Sequence, residues 1–386
     1  MNRTLNAVAA RVAGLASSLR IGLPDVSGSF VVWEPCSRNH GEVVPGFVRY
    51  LRELGYRVSV LVPPGRVREG LFGRIDDPGV QVFGLPQRRI RRWVRRGGLR
   101  GSLGVMVTTA SKLPVRGDGR IDYEQVFGAD VTTPVYVVEH DVRDRVDRDV
   151  WDPRSITLRR VDYRGARSVV VNPHDFGSVA ITPRSEGPLR FLVVGTLGKG
   201  KRAQHRIVDA VRELVGSGER GFEVTVIGKR GVGGLPADIA GMFRALGRVS
   251  FATLYAEVER ADVLLTAYEA ENPDHDFYRT SGTSGNFQLA WGFAKPCVVL
   301  REFAPINGLD EDNSILYDGS GGLADGMRRA IALTPAAYAR MQARLRQDAA
   351  ALADASRRNL AALLGSGAEG AVQNVSGGRP VGVIRR

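Results

Sequence analysis

Apolar residues fall into short runs separated by stretches of helical periodicity, which is the pattern of buried strands alternating with helices. The clearest example lies in residues 261–299. An apolar run at 263–266 is followed by a polar, acidic loop, a Ser/Thr/Gly segment, a helical pattern at 287–293 and a second apolar run at 297–300. Repeated units of this kind predict parallel strands joined by helices.

The first half of the chain shows the same alternation. Predicted strands cover residues 30–34, 58–62, 80–85, 103–108, 134–138 and 168–171, and a predicted helix covers residues 42–54. Residues 141–152 alternate acids and arginines and predict a solvated loop or a short helix. We expect an N-terminal Rossmann-like domain over residues 29–180, preceded by a helical arm over residues 1–28.

A second alternation follows a Pro/Gly-containing linker at residues 177–188. Predicted strands cover 189–195, 222–227, 263–266, 297–300 and 314–317, and predicted helices cover 202–215, 237–246, 322–333 and 335–364. We expect a second Rossmann-like domain over 189–334, a C-terminal helix over 335–365 and a disordered, Gly-rich tail over 366–386. The predicted fold is α/β, with two parallel sheets facing a cleft. Ligands then bind at the carboxyl ends of the strands.

The charge of the chain calls for an anionic partner. The 386 residues carry a formal net charge of +13, almost all of it from arginine. Such a surface suits nucleic acid, anionic lipid head groups, or nucleotide-sugars and phosphorylated acceptors. A GC-rich genome also favours arginine codons. The densest basic cluster, Arg88 to Arg96, predicts contact with an anionic membrane or with nucleic acid, or else a solvated basic loop.

Composition is otherwise that of an ordinary globular protein, with 43% hydrophobic residues. No apolar run approaches the length of a membrane span, and the arginines near the start of the chain interrupt any signal peptide. The two cysteines, Cys36 and Cys297, form no zinc or disulfide pattern. We expect a cytoplasmic location, free or peripheral at the inner face of the membrane, and no metal site.

Small residues stand directly before the helical pattern of the 261–299 stretch. They are Ser281, Gly282, Thr283, Ser284 and Gly285. Backbone N–H groups and hydroxyls at a helix N-terminus attract an anion such as a diphosphate. The same residue types also serve as ordinary helix caps and turns. The segment alone leaves both interpretations open.

Several motifs, taken in order, resemble the GT-B glycosyltransferases. The C-terminal half is similar to the donor domain of the large retaining, metal-independent family that uses nucleotide-sugars (glycosyltransferase family 4-like). The matching segments are 193–197 followed by Lys199, Lys201 and Arg202, then 226–229, 246–249, 260–265 and 294–299. In the first half, His40-Gly41-Glu42 before a helix resembles the acceptor-side opening of that family. The resemblance covers about residues 30–365.

The resemblance implies transfer of a sugar from a UDP- or GDP-type donor to an acceptor hydroxyl, with retention, in glycan or glycolipid synthesis. The nucleotide diphosphate-sugar is then a co-substrate, and no cofactor is expected. Implied donor-binding residues are Gly195, Thr196, Lys199, Gly228, Lys229, Ser281, Gly282, Thr283, Ser284 and Gly285. Implied catalytic residues are His140, Lys201 and Arg202, and implied acceptor-binding residues are His40, Gly41 and Glu42. The two cations would stabilise the leaving diphosphate.

One departure from the family bears on the donor sugar. Members usually carry two glutamates eight positions apart, and those positions fall on Ser281 and Leu289 here. Nearby acids able to replace them are Glu269, Glu271, Asp274 and Asp276. Three other functions stay open: a transferase acting on modified bases in DNA, a nucleotide-sugar epimerase, and a non-enzymatic nucleic-acid-binding protein.

Overall fold

The structure is a computed structural model that describes residues 23–36, 40–129, 132–195, 197, 203–229, 233–319 and 321–373. Four of the predicted site residues, Thr196, Lys199, Lys201 and Arg202, lie outside the described residues. Residues 1–22 of the predicted arm and 374–386 of the predicted tail also lie outside them.

The N-terminal half forms a seven-stranded parallel sheet in the order β3-β2-β1-β4-β5-β6-β7. Its strands are β1 (Phe30–Trp33), β2 (Val58–Val62), β3 (Val80–Gly84), β4 (Gly104–Val107), β5 (Val135–Glu139), β6 (Ile156–Thr157) and β7 (Val169–Val170). Its helices are α1 (Val44–Glu53), α2 (Pro64–Arg68), α3 (Gln87–Trp93), α4 (Tyr123–Phe127) and α5 (Arg143–Asp147). The central strands β1 and β4 are buried along their whole length, as an apolar run in a parallel sheet predicts.

The C-terminal half forms a six-stranded parallel sheet in the order β10-β9-β8-β11-β12-β13. Its strands are β8 (Leu189–Val194), β9 (Phe222–Ile227), β10 (Phe243–Gly247), β11 (Val263–Leu265), β12 (Cys297–Leu300) and β13 (Ile315–Tyr317). The helices are α6 (Gln204–Gly216), α7 (Phe251–Arg260), α8 (Pro273–Asp276), α9 (Gly285–Phe293), α10 (Leu323–Ile331) and α11 (Pro335–Gln373).

The helix predicted at residues 237–246 is wrong. The chain makes a 3₁₀ turn at Ala240–Met242 and then enters β10, an edge strand. Phe243 and Ala245 pair with the buried strand β9, whose backbone groups would otherwise lack partners on that side. This tertiary pairing outweighs the weak helical periodicity of a segment that contains Gly241.

The long helix α11 joins the two hydrophobic cores. Its side chains enter the C-terminal core at Tyr338 and Leu345, and the N-terminal core at Leu360, Leu363 and Leu364. Between them, the Ser356 hydroxyl accepts a hydrogen bond from the Asn172 amide at 2.9 Å. The helix continues to Gln373, past the predicted end at residue 365. Because one rigid element crosses both halves, α11 couples their positions.

The linker between the sheets is held by a buried lysine. The Lys295 ammonium donates to the Thr182 hydroxyl at 2.7 Å, the Glu259 carbonyl at 3.0 Å and the Ala261 carbonyl at 2.6 Å. Burial lowers the pKa of Lys295 to about 8, although the charges of Asp262 and Glu259 oppose that effect. The lysine that precedes Pro296 in the sequence motif therefore holds the linker against the C-terminal sheet.

Replacement of Lys295 by methionine is expected to lower the free energy of unfolding by about 3 kcal/mol, because three acceptors around a buried ammonium group lose a charged donor. Urea denaturation of the full chain measures the change. The exposed Lys112→Met variant is the matched control and is expected to leave stability nearly unchanged. Equal stability of the two variants would contradict this role of Lys295.

Candidate active site

The carboxyl edges of the two sheets meet through a short antiparallel bridge. Asp141, just after β5, pairs with Gly282, just before α9. The Ser281 hydroxyl donates to the Asp141 carboxylate at 2.8 Å, and the Thr283 amide donates to the His140 carbonyl at 3.2 Å. The Ser/Thr/Gly segment therefore faces the strand end that carries His140.

The bridge and hydrogen bonds within the segment itself use much of the hydrogen-bonding capacity of the predicted phosphate loop. The amides of residues 281–283 donate to the carbonyls of Phe277 and His140. The amides of Ser284 and Gly285 are left without a partner among the described residues. The segment thus offers an anion two amides at the N-terminus of α9, fewer than the sequence alone predicted.

Ser284 is also the N-cap of α9. Its hydroxyl accepts a hydrogen bond from the Asn286 amide at 3.4 Å and another from the Tyr268 hydroxyl at 2.7 Å. Both interpretations of this segment therefore apply to one residue, since the side chain caps the helix while its amide remains available.

His140 is fixed by the strand beside it. Its Nε2 lies 2.8 Å from the Thr108 carbonyl, which only accepts hydrogen bonds, so this nitrogen carries the proton. Burial and the charge of His40 lower the pKa of His140 to about 3. The imidazole is therefore neutral at physiological pH, and its Nδ1 is a hydrogen-bond acceptor.

His40 packs against His140 and begins the turn that carries Glu42. The two imidazole rings have centroids 4.0 Å apart at an angle of 47°. His40 adopts a left-handed backbone conformation, with φ of 65°. A Cβ placed on Gly285 would lie 3.2 Å from Glu42 Oε1, so this carboxylate faces the N-terminus of α9. His40 and Glu42 thus belong to the same cleft as His140.

Gly41 differs from its two neighbours. It is buried, and a Cβ at this position would lie 3.2 Å from Cδ of Arg66. The absence of a side chain at Gly41 therefore lets Arg66 approach, rather than a diphosphate or an acceptor. The predicted acceptor triplet contributes two side chains to the cleft.

The sequence did not single out Glu34, which lies directly after β1 and is fully buried. Its carboxyl group contacts the hydroxyls of Thr108 at 2.6 Å and Thr109 at 2.9 Å. Burial raises the pKa of Glu34 to about 8 against these hydrogen bonds. Because Thr108 also contacts His140, the neutral carboxyl and the neutral imidazole belong to one network. A glutamate at the end of an apolar strand was the available signal.

The carboxylates that flank His140 in sequence are engaged with other partners. Glu139 is buried and pairs with Arg145, and burial raises its pKa to about 7. Asp141 pairs with Arg143 at 2.7 Å in addition to Ser281. Alternation along β5 directs residues 139 and 140 to opposite faces, so His140 acts without its sequence neighbours.

Two predicted donor-side glycines lie at strand ends. Gly195 follows β8 with φ of 117°, and its amide donates to Ile227 at 2.7 Å. The Gly228 amide, after β9, donates to Gly247 at 3.0 Å. Lys229 is exposed beside Gly228. The described donor-side residues therefore gather at the carboxyl edge of the C-terminal sheet.

Of the acids proposed to replace the missing glutamates, Glu269 has partners. It pairs with Arg206 at 2.8 Å and with His205 at 3.1 Å. Although burial opposes ionisation, hydrogen bonds from Arg206 and Asn272 hold the pKa of Glu269 below its usual value. Asp276 likewise pairs with Arg279 at 2.7 Å. Both carboxylates are thus already paired with an arginine.

The remaining candidates have different environments. Leu289, at the position of the second family glutamate, is buried in the C-terminal core. Glu271 and Asp274 are exposed. Asp274 lines a cavity of about 660 Å³ together with Glu269 and Asn272. This cavity opens beside the first turn of α6, next to residues 198–202 in sequence. Among the described residues, no cluster of three or more metal-ligating side chains occurs.

Comparison with known proteins identifies the fold. No protein-family model matches the sequence, and no curated protein matches it. The α,α-trehalose-6-phosphate synthase of Burkholderia multivorans superposes with a TM-score of 0.52 at 13% identity, over 92% of this chain and all of that one. The UDP-forming α,α-trehalose-phosphate synthase of Burkholderia vietnamiensis gives 0.51 at 11% identity, over 89% of this chain and all of that one.

A third similar structure, from E. coli, is described as trehalose-6-phosphate bound with UDP-2-fluoro glucose. It superposes with a TM-score of 0.51 at 11% identity, over 87% of this chain and 99% of that one. These likenesses and the two parallel sheets show that the chain has the GT-B fold, with two Rossmann-like domains. The predicted fold is confirmed.

The raised pKa of the buried Glu34 carboxyl group predicts that the stability of the protein depends on pH. Between pH 4.5 and about 8, folded Glu34 holds a proton that the unfolded chain releases, so stability falls as pH rises through this window. Glu34→Gln removes that loss. The variant is expected to gain on the order of 3 kcal/mol relative to wild type between pH 5 and pH 8, measured by urea denaturation.

The exposed Glu186→Gln variant, in the linker, is the control for loss of one carboxylate. If the free energies of unfolding of wild type and Glu34→Gln change in parallel between pH 5 and pH 8, Glu34 is not held neutral in the folded protein.

Proposed function

We propose that this chain is a glycosyltransferase that moves a sugar from a nucleotide diphosphate donor to an acceptor hydroxyl. One observation carries the proposal: the amides of Ser284 and Gly285 at the N-terminus of α9 have no partner among the described residues, and the loop before them bridges to the strand end that carries His140. A helix N-terminus binds the anionic leaving group, and a neutral imidazole accepts a hydrogen bond from the acceptor.

The proposed donor is a UDP-sugar. Two fold neighbours support this choice, one described as UDP-forming and one as bound with UDP-2-fluoro glucose. The two amides offer less than full neutralisation of a diphosphate, so cations are needed. Lys201 and Arg202 follow Gly195 in sequence and are proposed for that role, with Lys199 beside them.

Glu42 adds a constraint on donor binding. Its carboxylate already faces the N-terminus of α9, where it competes with a diphosphate for the same helix dipole. Donor binding therefore requires the Glu42 side chain to turn away from Gly285. In that position it is free to bind an acceptor hydroxyl, the role that the sequence resemblance implies.

Retention of anomeric configuration is the proposed stereochemical outcome. Inversion requires a general base that deprotonates the acceptor, and a base works best when its pKa lies near the operating pH. The pKa of His140, lowered to about 3, makes it a weak base. The imidazole therefore serves to orient a hydroxyl rather than to remove its proton.

A nucleotide-sugar epimerase is the second candidate, favoured by the carboxyl groups of Glu34 and Glu42 near His140. Epimerisation needs acid–base groups in the cleft and no acceptor. The configuration of the sugar after incubation of a UDP-sugar separates the two functions, because only an epimerase inverts a ring carbon other than the anomeric one.

Nucleotide diphosphates are expected to raise the melting temperature without magnesium, with UDP most effective, since a ligand that binds only the folded state stabilises it. Gly285→Ala places a methyl group 3.2 Å from the present position of Glu42 Oε1, in the space that the diphosphate would enter once Glu42 turns away, and so narrows the anion site. We expect UDP to bind this variant about tenfold more weakly. Gly187→Ala, where a Cβ meets open space, is the control. An unchanged UDP affinity in Gly285→Ala would remove α9 from the donor site.

Loss of His140 is expected to impair turnover rather than donor binding. His140→Ala should reduce the rate of UDP release from a UDP-sugar by about a hundredfold, the contribution typical of one catalytic side chain. Calorimetry with UDP should give an affinity close to that of wild type. A wild-type rate in the variant would make His140 a structural residue held by Thr108.

A further inference from the structure

A basic surface, formed by α3 and the turn Val94–Gly98 with Arg100, lies outside the cleft. Its seven exposed arginines are Arg88, Arg89, Arg91, Arg92, Arg95, Arg96 and Arg100. Many arginines elsewhere in the described chain pair with acids, as Arg74 does with Glu259. Within the described part of the chain, no carboxylate lies within ion-pair distance of any of the seven. The positive charge of the basic surface is therefore uncompensated.

The side chains of α3 and of the turn that follows it divide into a buried set and an exposed set. Ile90 and Val94 are buried one turn apart and attach the helix to the N-terminal core. Arg91 and Arg95 lie beside them and donate at 3.1 Å to the carbonyls of Lys112 and Gln125. The arginines at positions 88, 92 and 96, one helical turn apart, remain directed to solvent.

An apolar groove of about 620 Å³ runs through the basic surface. Leu23 and Trp93 contribute apolar lining, and Arg88, Arg89, Arg92 and Arg96 surround it. Leu23 is 60% exposed, and Trp93 is half-buried against Gly98, where a side chain would collide with the indole ring. The groove thus combines an exposed apolar floor with a ring of guanidinium groups.

We propose that the basic surface docks on an anionic lipid bilayer. The arginines bind lipid phosphates, while Trp93 and Leu23 enter the boundary between head groups and acyl chains. The apolar lining of the groove can be buried in a bilayer, whereas a sugar–phosphate backbone offers it no apolar partner. Among the described helices, none is long and apolar enough to cross a bilayer.

The docked surface is connected to the floor of the cleft. Gln87, the first residue of α3, accepts a hydrogen bond from the Trp33 indole at 3.1 Å and donates to the Glu34 carbonyl at 2.7 Å. Docking through α3 therefore brings the cleft to the bilayer surface. A consequence, which rests on the proposed function, is that the acceptor hydroxyl belongs to a membrane-resident molecule.

The test is sedimentation of the full chain with phosphatidylcholine vesicles and with mixed phosphatidylcholine–phosphatidylglycerol vesicles. We expect binding to the anionic vesicles that weakens with salt. The triple variant Arg88→Gln, Arg92→Gln, Arg96→Gln should bind them roughly a hundredfold more weakly. The control is Arg340→Gln, Arg346→Gln, Arg358→Gln, an equal charge change at exposed arginines of α11, which should bind as wild type does.

Three results would overturn the proposal: equal binding to both kinds of vesicle, equal loss in both triple variants, or no vesicle binding together with duplex-DNA binding that the first triple variant abolishes. A measurement of UDP binding distinguishes failure of the docking proposal from failure of the proposed function. The triple variant of residues 88, 92 and 96 should show the same rise in melting temperature with UDP as wild type.

Quenching of tryptophan fluorescence by vesicles of brominated phosphatidylglycerol is an independent test of which surface docks. Trp33 and Trp291 are buried, and the half-buried Trp151 lies outside the basic surface, where its indole donates to the Arg167 carbonyl at 2.7 Å. Trp93 should therefore provide most of the quenched fluorescence. The conservative Trp93→Phe variant should bind the vesicles and lose most of the quenching. Quenching that persists undiminished in this variant would assign docking to another surface.

Discussion

The bridge between Asp141 and Gly282 determines what the cleft can do. It joins the carboxyl edges of two parallel sheets, and the Ser281 hydroxyl reinforces it with a hydrogen bond of 2.8 Å to Asp141. The Thr283 amide donates across the bridge to the His140 carbonyl, the amides of Ser281 and Gly282 donate to Phe277, and those of Ser284 and Gly285 have no partner among the described residues. The bridge also places His140 opposite the N-terminus of α9. The proposed anion site and the imidazole are thus positioned by the same contact.

The network beneath this bridge carries no formal charge. Burial favours the neutral forms of both Glu34 and His140, and each contacts Thr108. The electrostatics of the cleft are therefore set by the α9 dipole, by Glu42 and by the cations that follow β8 in sequence. A nucleotide diphosphate, which brings its own negative charge, suits such a site better than a neutral ligand.

Local patterns predicted most of the strands, because a buried parallel strand must be apolar along its length, as at 58–62 and 297–300. The same reasoning found the helix that begins at Gly285. This reasoning failed where contacts with distant segments determine the local structure. The strand at Phe243 forms because β9 lies beside it, and Glu34 joins the network through Thr108, 74 positions away. The hydrogen bond from the Thr283 amide to the His140 carbonyl likewise has no local signal.

A crystal structure of the protein soaked with UDP tests the central claim most directly. The account predicts density for the diphosphate within hydrogen-bond distance of the Ser284 and Gly285 amides, with the Glu42 side chain turned away from Gly285. Density for UDP at another part of the surface, with Glu42 still facing α9, would contradict the assignment of this cleft as the donor site.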